Sequence, residues 1–89
     1  MTKEILVVDD NLDIRTLISG ILKDNGFKVR EAANFDQALL EINKRIPGVA
    51  IIDVKLDKGD NDGIELLTTL KKKDEDIPVI MISGHANVQ

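Results

Sequence analysis

Cysteine is absent from this chain, which excludes disulfides, thiolate nucleophiles and sulfur-ligated zinc. Histidine occurs once, as His85, and with no second His or Cys it cannot build a transition-metal site, so it reads as a solvated residue. Tryptophan is missing too, so metal binding cannot be followed by its fluorescence. Positive charge is not in excess: 12 Lys and Arg face 16 Asp and Glu, a net charge of −4, which argues against direct contact with nucleic acid. Long apolar runs are also lacking. Met1-Thr2-Lys3-Glu4 is followed by only four apolar residues before Asp9, too few for a signal-peptide core or a membrane span. A soluble, cytoplasmic protein with no membrane partner is expected. Proline is scarce, Pro47 and Pro78 each preceding an apolar run, and no linker, low-complexity tract or repeat interrupts residues 1–89, which read as one domain.

What is present alternates. Ile5-Leu6-Val7-Val8 predicts a strand; Asn11 then caps a helix whose residues Ile14, Leu17, Ile18, Ile21 and Leu22 have the spacing of one buried face, stopped by Asn25-Gly26. Residues 27–32 alternate as a second strand, and Asn34 opens a second helix, with Gln37 placed for a capping box and Phe35, Ala38, Leu39, Ile42 and Ile46 as its stripe. Residues 49–53 form a third strand, and a charged loop from Lys55 to Asp62 leads to Gly63. A third helix should turn Ile64, Leu67 and Leu70 inward with Leu66 flanking, and end on a solvated Lys71-Lys72-Lys73 that suits its macrodipole. Ile77 and residues 79–82 make a fourth strand. This βαβαβαβ order implies right-handed crossovers and a doubly wound parallel α/β sheet, with the two continuous apolar runs central and the strand order 2-1-3-4.

Both central strands stop on carboxylates, Asp9 and Asp10 after the first and Asp53 at the end of the third. In open α/β sheets ligands bind at the carboxyl edge where the strand order reverses, which gathers all three in one crevice. Converging carboxylates repel one another unless a proton or cation intervenes, and a hard divalent ion such as Mg²⁺ answers that need. A carboxylate can also attack phosphorus once the incoming oxygens are neutralised and aligned. Ser83, at the tip of the neighbouring strand, can hydrogen-bond a phosphoryl oxygen, and Gly84 leaves room for a backbone N–H to approach. Each residue also has a plainer use: Asp9-Asp10 as turn and helix-start charge, Ser83 as a cap, Asp62-Gly63 as a turn. Asp53, inside an apolar strand, has the weakest such excuse.

Leu6-Val7-Val8-Asp9-Asp10, Asp53, Asp62-Gly63 and Met81-Ile82-Ser83-Gly84 together resemble the receiver domain of two-component response regulators, in order and along the whole chain. The resemblance implies a flavodoxin-like fold and acceptance of a phosphoryl group from a sensor histidine kinase, serving transcription regulation, with no enzymatic activity beyond Mg²⁺-dependent self-phosphorylation and slow autodephosphorylation. It implies Asp53 as phosphoacceptor, Asp10 and Asp53 as Mg²⁺ ligands with the Lys55 backbone carbonyl, Asp9 acting through water, and Ser83 with Gly84 as the switch and phosphate contacts. The loop after Asp53 is longer than the common form, with Gly63 ten positions on and Leu56-Asp57 where Met-Pro is usual, which resembles the NtrX branch of nitrogen-regulation proteins.

Receiver domains continue through a further helix, strand and helix, and that strand opens with a lysine that pairs with the phosphoryl group. No Lys or Arg follows Lys73, so the catalytic lysine is expected to be missing from this chain and phosphorylation to be weakened. The fourth strand is then expected to be an apolar edge, and the chain to self-associate through it or through exposed apolar surface. Lys55 or Lys58 could stand in for the lysine in part. The rival readings are a nucleotide-binding domain, which lacks its glycine-rich cradle after the first strand, and a dehalogenase-type phosphohydrolase, which wants an aspartate where Lys55 stands. The serious competitor is a receiver-like interaction or dimerisation module that no longer takes phosphate.

Overall fold

The computed structural model describes residues 3–54 and 62–82, and among these residues short apolar runs bounded by caps and turns produce seven elements. They are β1 (Glu4–Val8), α1 (Leu12–Asp24), β2 (Lys28–Ala32), α2 (Phe35–Lys44), β3 (Val49–Asp53), α3 (Asp62–Lys73) and β4 (Val79–Ile82). The side chain of Asn11 accepts the Ile14 N–H at 3.0 Å and starts α1. At its other end the backbone N–H of Asn25 returns to the Ile21 and Leu22 carbonyls, and Gly26, at φ +89°, makes the left-handed step into β2. Asn34 caps α2 by accepting from the Gln37 N–H at 2.8 Å. The reciprocal contact lands one residue early, Gln37 Oε1 accepting from the Ala33 N–H at 2.8 Å.

All strand pairs are parallel, in the order β2-β1-β3-β4. Alternation along the strands divides the core. Leu6, Val8, Ala50 and Ile52 meet Ala38 and Ile42 of α2 and Leu66 and Leu70 of α3 in one buried cluster, closed below by Ile77. The opposite side chains, Ile5, Val49, Ile51 and Ile80, line an apolar groove with Leu22 and Phe27 of the α1 side.

The helix faces depart from the periodicity in ways the packing explains. Helix α1 lies over β2 and β1, so Leu17 and Ile21 are 61% and 54% exposed instead of buried, while Ser19 is buried. In α3, Gly63 is buried against β3, which rotates Leu66 fully inward and Ile64 outward, reversing their expected roles; Leu67 is half-buried. Helix α2 ends at Lys44, so Ile46 falls past the stripe and is largely exposed. The lysine run is exposed as expected, and Lys71 Nζ also donates to the Ile77 carbonyl at 2.5 Å, tying the end of α3 to the approach to β4.

At the amino edge of the sheet Arg30 of β2 makes a clasp. Its guanidinium donates to the carbonyls of Glu41 at 2.7 Å and Arg45 at 2.8 Å and pairs with the carboxylates of Glu41 and Glu4. No helix among the described residues is long and apolar enough to cross a membrane.

Candidate phosphoacceptor site

The parallel register builds the site. Val8 of β1 pairs with Ile52 of β3, so Asp9 and Asp53 each stand one residue beyond a matched pair on adjacent strands. Neighbouring strands run about 4.8 Å apart. Asp10 follows Asp9 in the turn into α1, and one carboxylate oxygen from each of Asp9, Asp10 and Asp53 lies within 4.8 Å of the other two. Asp9 and Asp53 are both 1% exposed, whereas Asp10 opens to solvent. The sequence places these carboxylates at strand ends, and the sheet brings all three together.

Asp9 is held on every side but one. Its N–H donates to the Ala32 carbonyl at 3.1 Å, its carbonyl accepts from Arg15 Nη1 at 2.8 Å, and its Oδ1 accepts the Asn11 N–H at 2.8 Å. Its Oδ2 is buried and has no hydrogen-bond partner among the described residues. Burial pushes the Asp9 carboxyl above the usual carboxylate range; the Asn11 amide opposes the rise, and the negative charges of Asp53 and Asp10 add to it. A buried carboxylate with one oxygen unpartnered among the described residues, in a cluster with two further carboxylates, fits a hard cation with oxygen ligands. The residues present therefore suit Mg²⁺, which receiver domains bind at such an acidic cluster.

The backbone of Asp53 is fixed from two sides. On one, the Val54 N–H donates to the Ile82 carbonyl at 2.8 Å; on the other, the Gly63 N–H donates to the Val54 carbonyl at 3.1 Å. A Cβ on Gly63 would collide with the Asp53 carbonyl oxygen and stand 2.9 Å from the Val54 Cα. Read from sequence as turn chemistry, Asp62-Gly63 is in fact the close approach that seats α3 on the end of β3. Arg15 was also not singled out by the sequence, although a cation four residues into a helix, where the macrodipole favours anions, signals a tertiary partner. Lys55, Lys58, Ser83, Gly84 and His85 lie outside the described residues.

A doubly wound parallel sheet with a cluster of aspartates at its switch point defines a receiver. The profile of the response regulator receiver domain matches residues 5–89, and the chain belongs to that family. It is 44% identical over 89 residues to the nitrogen assimilation regulatory protein NtrX of Azorhizobium caulinodans, covering all of this chain and 20% of that protein. The receiver domain of NtrX from Brucella abortus superposes with a TM-score of 0.82 at 48% identity, covering 93% of this chain and 69% of that one. The response regulator TrrA of Thermotoga maritima, solved in complex with Mg²⁺ and BeF, gives 0.84 at 28% identity, covering 96% and 72%. The chain thus spans about one fifth of the NtrX protein it matches and most of a single receiver. Receivers of response regulators take phosphate from histidine kinases and are not enzymes in the ordinary sense; among the readings open to the sequence, the inert interaction module is not favoured.

Proposed function

We propose that residues 1–89 act as one cytoplasmic phosphoacceptor unit, in which Asp53 takes the phosphoryl group from a phosphorylated histidine of a sensor kinase. The convergence of Asp9, Asp10 and Asp53 carries this reading. An oxygen of the Asp53 carboxylate attacks phosphorus as the donor's N–P bond breaks, leaving an aspartyl phosphate while the departing imidazole nitrogen takes up a proton. Mg²⁺, when bound, would neutralise the phosphoryl oxygens and let two anions approach. Asp10 and Asp53 would hold it together with the Lys55 carbonyl, Asp9 would act through water, and Ser83 and the Gly84 N–H would contact the transferred group. The Thermotoga relative, solved in complex with Mg²⁺ and BeF, supports an Mg²⁺-dependent reading. The same geometry supports self-phosphorylation from a small phosphodonor and slow hydrolysis of the product.

Intact-mass analysis after incubation with Mg²⁺ and acetyl phosphate tests the assignment. A single phosphoryl adduct on the wild-type chain, absent in Asp53→Asn and absent in EDTA, is expected. An adduct of equal yield in Asp53→Asn would move the acceptor to another residue.

A further inference from the structure

Asp9 and Asp10 lie beyond the last residue of β1, where the Asp9 N–H still reaches the Ala32 carbonyl of β2 at 3.1 Å, and their carboxylates must meet Asp53 to within a few ångströms. That bond holds the amide side of Asp9; the carbonyl side, where the chain turns into α1, needs a hold of its own. We propose that Arg15 is a positioning residue of the phosphoacceptor site: anchored by Glu31 of β2, its guanidinium grips the Asp9 carbonyl and fixes the turn that aims Asp9 and Asp10 at Asp53.

The geometry is specific to arginine. Nη1 donates to the Asp9 carbonyl at 2.8 Å while Nε donates to Glu31 Oε1 at 3.1 Å, so one planar group spans two acceptors on two elements. The Arg15 side chain is only 14% exposed, which keeps the pair from being a loose surface contact, and Glu31 sits opposite Val7 in the β1–β2 register, level with the strand end it must brace. The Arg15 backbone also closes the first turn of α1, its N–H donating to the Asn11 carbonyl at 3.0 Å; Asn11 in turn holds Asp9 Oδ1. The guanidinium therefore holds the backbone carbonyl of Asp9 while the cap residue holds its side chain. Arg15 acts through the Asp9 peptide.

This inference rests on the reading of the site as an Mg²⁺-dependent acceptor, and the test separates the two. Mg²⁺ is titrated into the full chain, wild type and the variants Arg15→Gln, Arg15→Lys and Glu31→Gln, with backbone amide NMR shifts of the folded population giving the Kd and thermal unfolding in EDTA giving stability. Arg15→Gln is expected to weaken Mg²⁺ binding by about tenfold, as partners of metal ligands commonly do. Arg15→Lys should restore part of the loss through its charge, and Glu31→Gln, which leaves the guanidinium in place, should weaken binding by a smaller factor. A purely structural role would lower the unfolding temperature and leave the Kd of the folded molecules unchanged, and that result overturns the proposal. Should Arg15→Gln not fold, an unchanged Kd in Arg15→Lys and Glu31→Gln refutes it equally. A wild-type chain that shows no Mg²⁺ response removes the acceptor reading itself, and the positioning role with it.

Discussion

Gly63 rests directly on the backbone of Asp53. An added methyl group would run into the Asp53 carbonyl oxygen and crowd the Val54 Cα, neither of which is a flexible side-chain end that could swing away. The first turn of α3 and the end of the strand that presents the acceptor are thus one packed unit, further joined by the hydrogen bond from the Gly63 N–H to the Val54 carbonyl.

Gly63→Ala is therefore expected to destabilise the chain by about 1–3 kcal/mol, the usual cost of overpacking, and to slow phosphoryl uptake by displacing Asp53. Gly20→Ala is its counterpart. Nothing lies within 4 Å of a Cβ there, in mid-helix, so alanine should stabilise α1 by about 0.5–1 kcal/mol and leave uptake unchanged. Urea unfolding and intact-mass kinetics on both variants check the pair.

Asp9 should oppose stability while serving binding. Its folded-state pKa is raised above the reference of 3.8, so its contribution is fully present below that value and is lost as pH rises through the higher folded-state value. At neutral pH without metal the buried carboxylate disfavours the native state. Asp9→Asn keeps the oxygen that accepts from Asn11 and removes the charge, so it should stabilise the metal-free chain by roughly 0.5–2 kcal/mol and weaken Mg²⁺ binding. Thermal unfolding with and without Mg²⁺ reads both effects; a variant less stable than wild type in EDTA would contradict the argument.

The clasp around Arg30 governs the acid side. Glu4 is held below the usual glutamate range chiefly by its hydrogen bond from Arg45, with Arg30 adding, and Glu41 chiefly by Lys44 and then Arg30. With pKa values lowered from 4.5, both contribute stability above that value and lose it as pH falls through their folded-state values. Arg45 and Lys44 are mostly exposed and screened by solvent, so the buried part of the effect belongs to Arg30. Arg30→Met removes the guanidinium donor from the Arg45 carbonyl and one of the two donors to the Glu41 carbonyl, which keeps the Arg45 N–H, and is expected to cost about 1–3 kcal/mol at neutral pH. It should also flatten the loss of stability on acidification, measured as unfolding temperature against pH.

Loss of the helix-start cap should act on fold and site together. Asn11→Ala removes the acceptor for the Ile14 N–H and is expected to cost about 1 kcal/mol in urea unfolding. Because the Asn11 backbone N–H still reaches Asp9, Mg²⁺ affinity should change less than in Arg15→Gln. A larger loss of affinity in Asn11→Ala would transfer the aiming of Asp9 from the guanidinium to the cap.

Local patterns determined much of this protein. Runs of β-branched and apolar residues ending at Asp9 and Asp53 specified both central strands and put carboxylates on their carboxyl ends, and Asn11 and Asn34 marked where helices begin, because strand alternation and helix capping depend on near neighbours in the chain. The strand order followed as well, since alternating elements with right-handed crossovers leave few ways to wind a sheet. Only the tertiary structure decided which helix faces meet the core: Leu17 and Ile21 share a stripe with the half-buried Ile14, Ile18 and Leu22 yet face outward because of where α1 lies on the sheet, and Leu66 displaced Ile64 because Gly63 sets the rotation of α3. It alone joined Arg15 to Glu31 across 16 residues and left one oxygen of Asp9 buried without a partner among the described residues. Such pairings depend on distances between elements, which no periodicity within a single element encodes, and they are what turns three aspartates into a site.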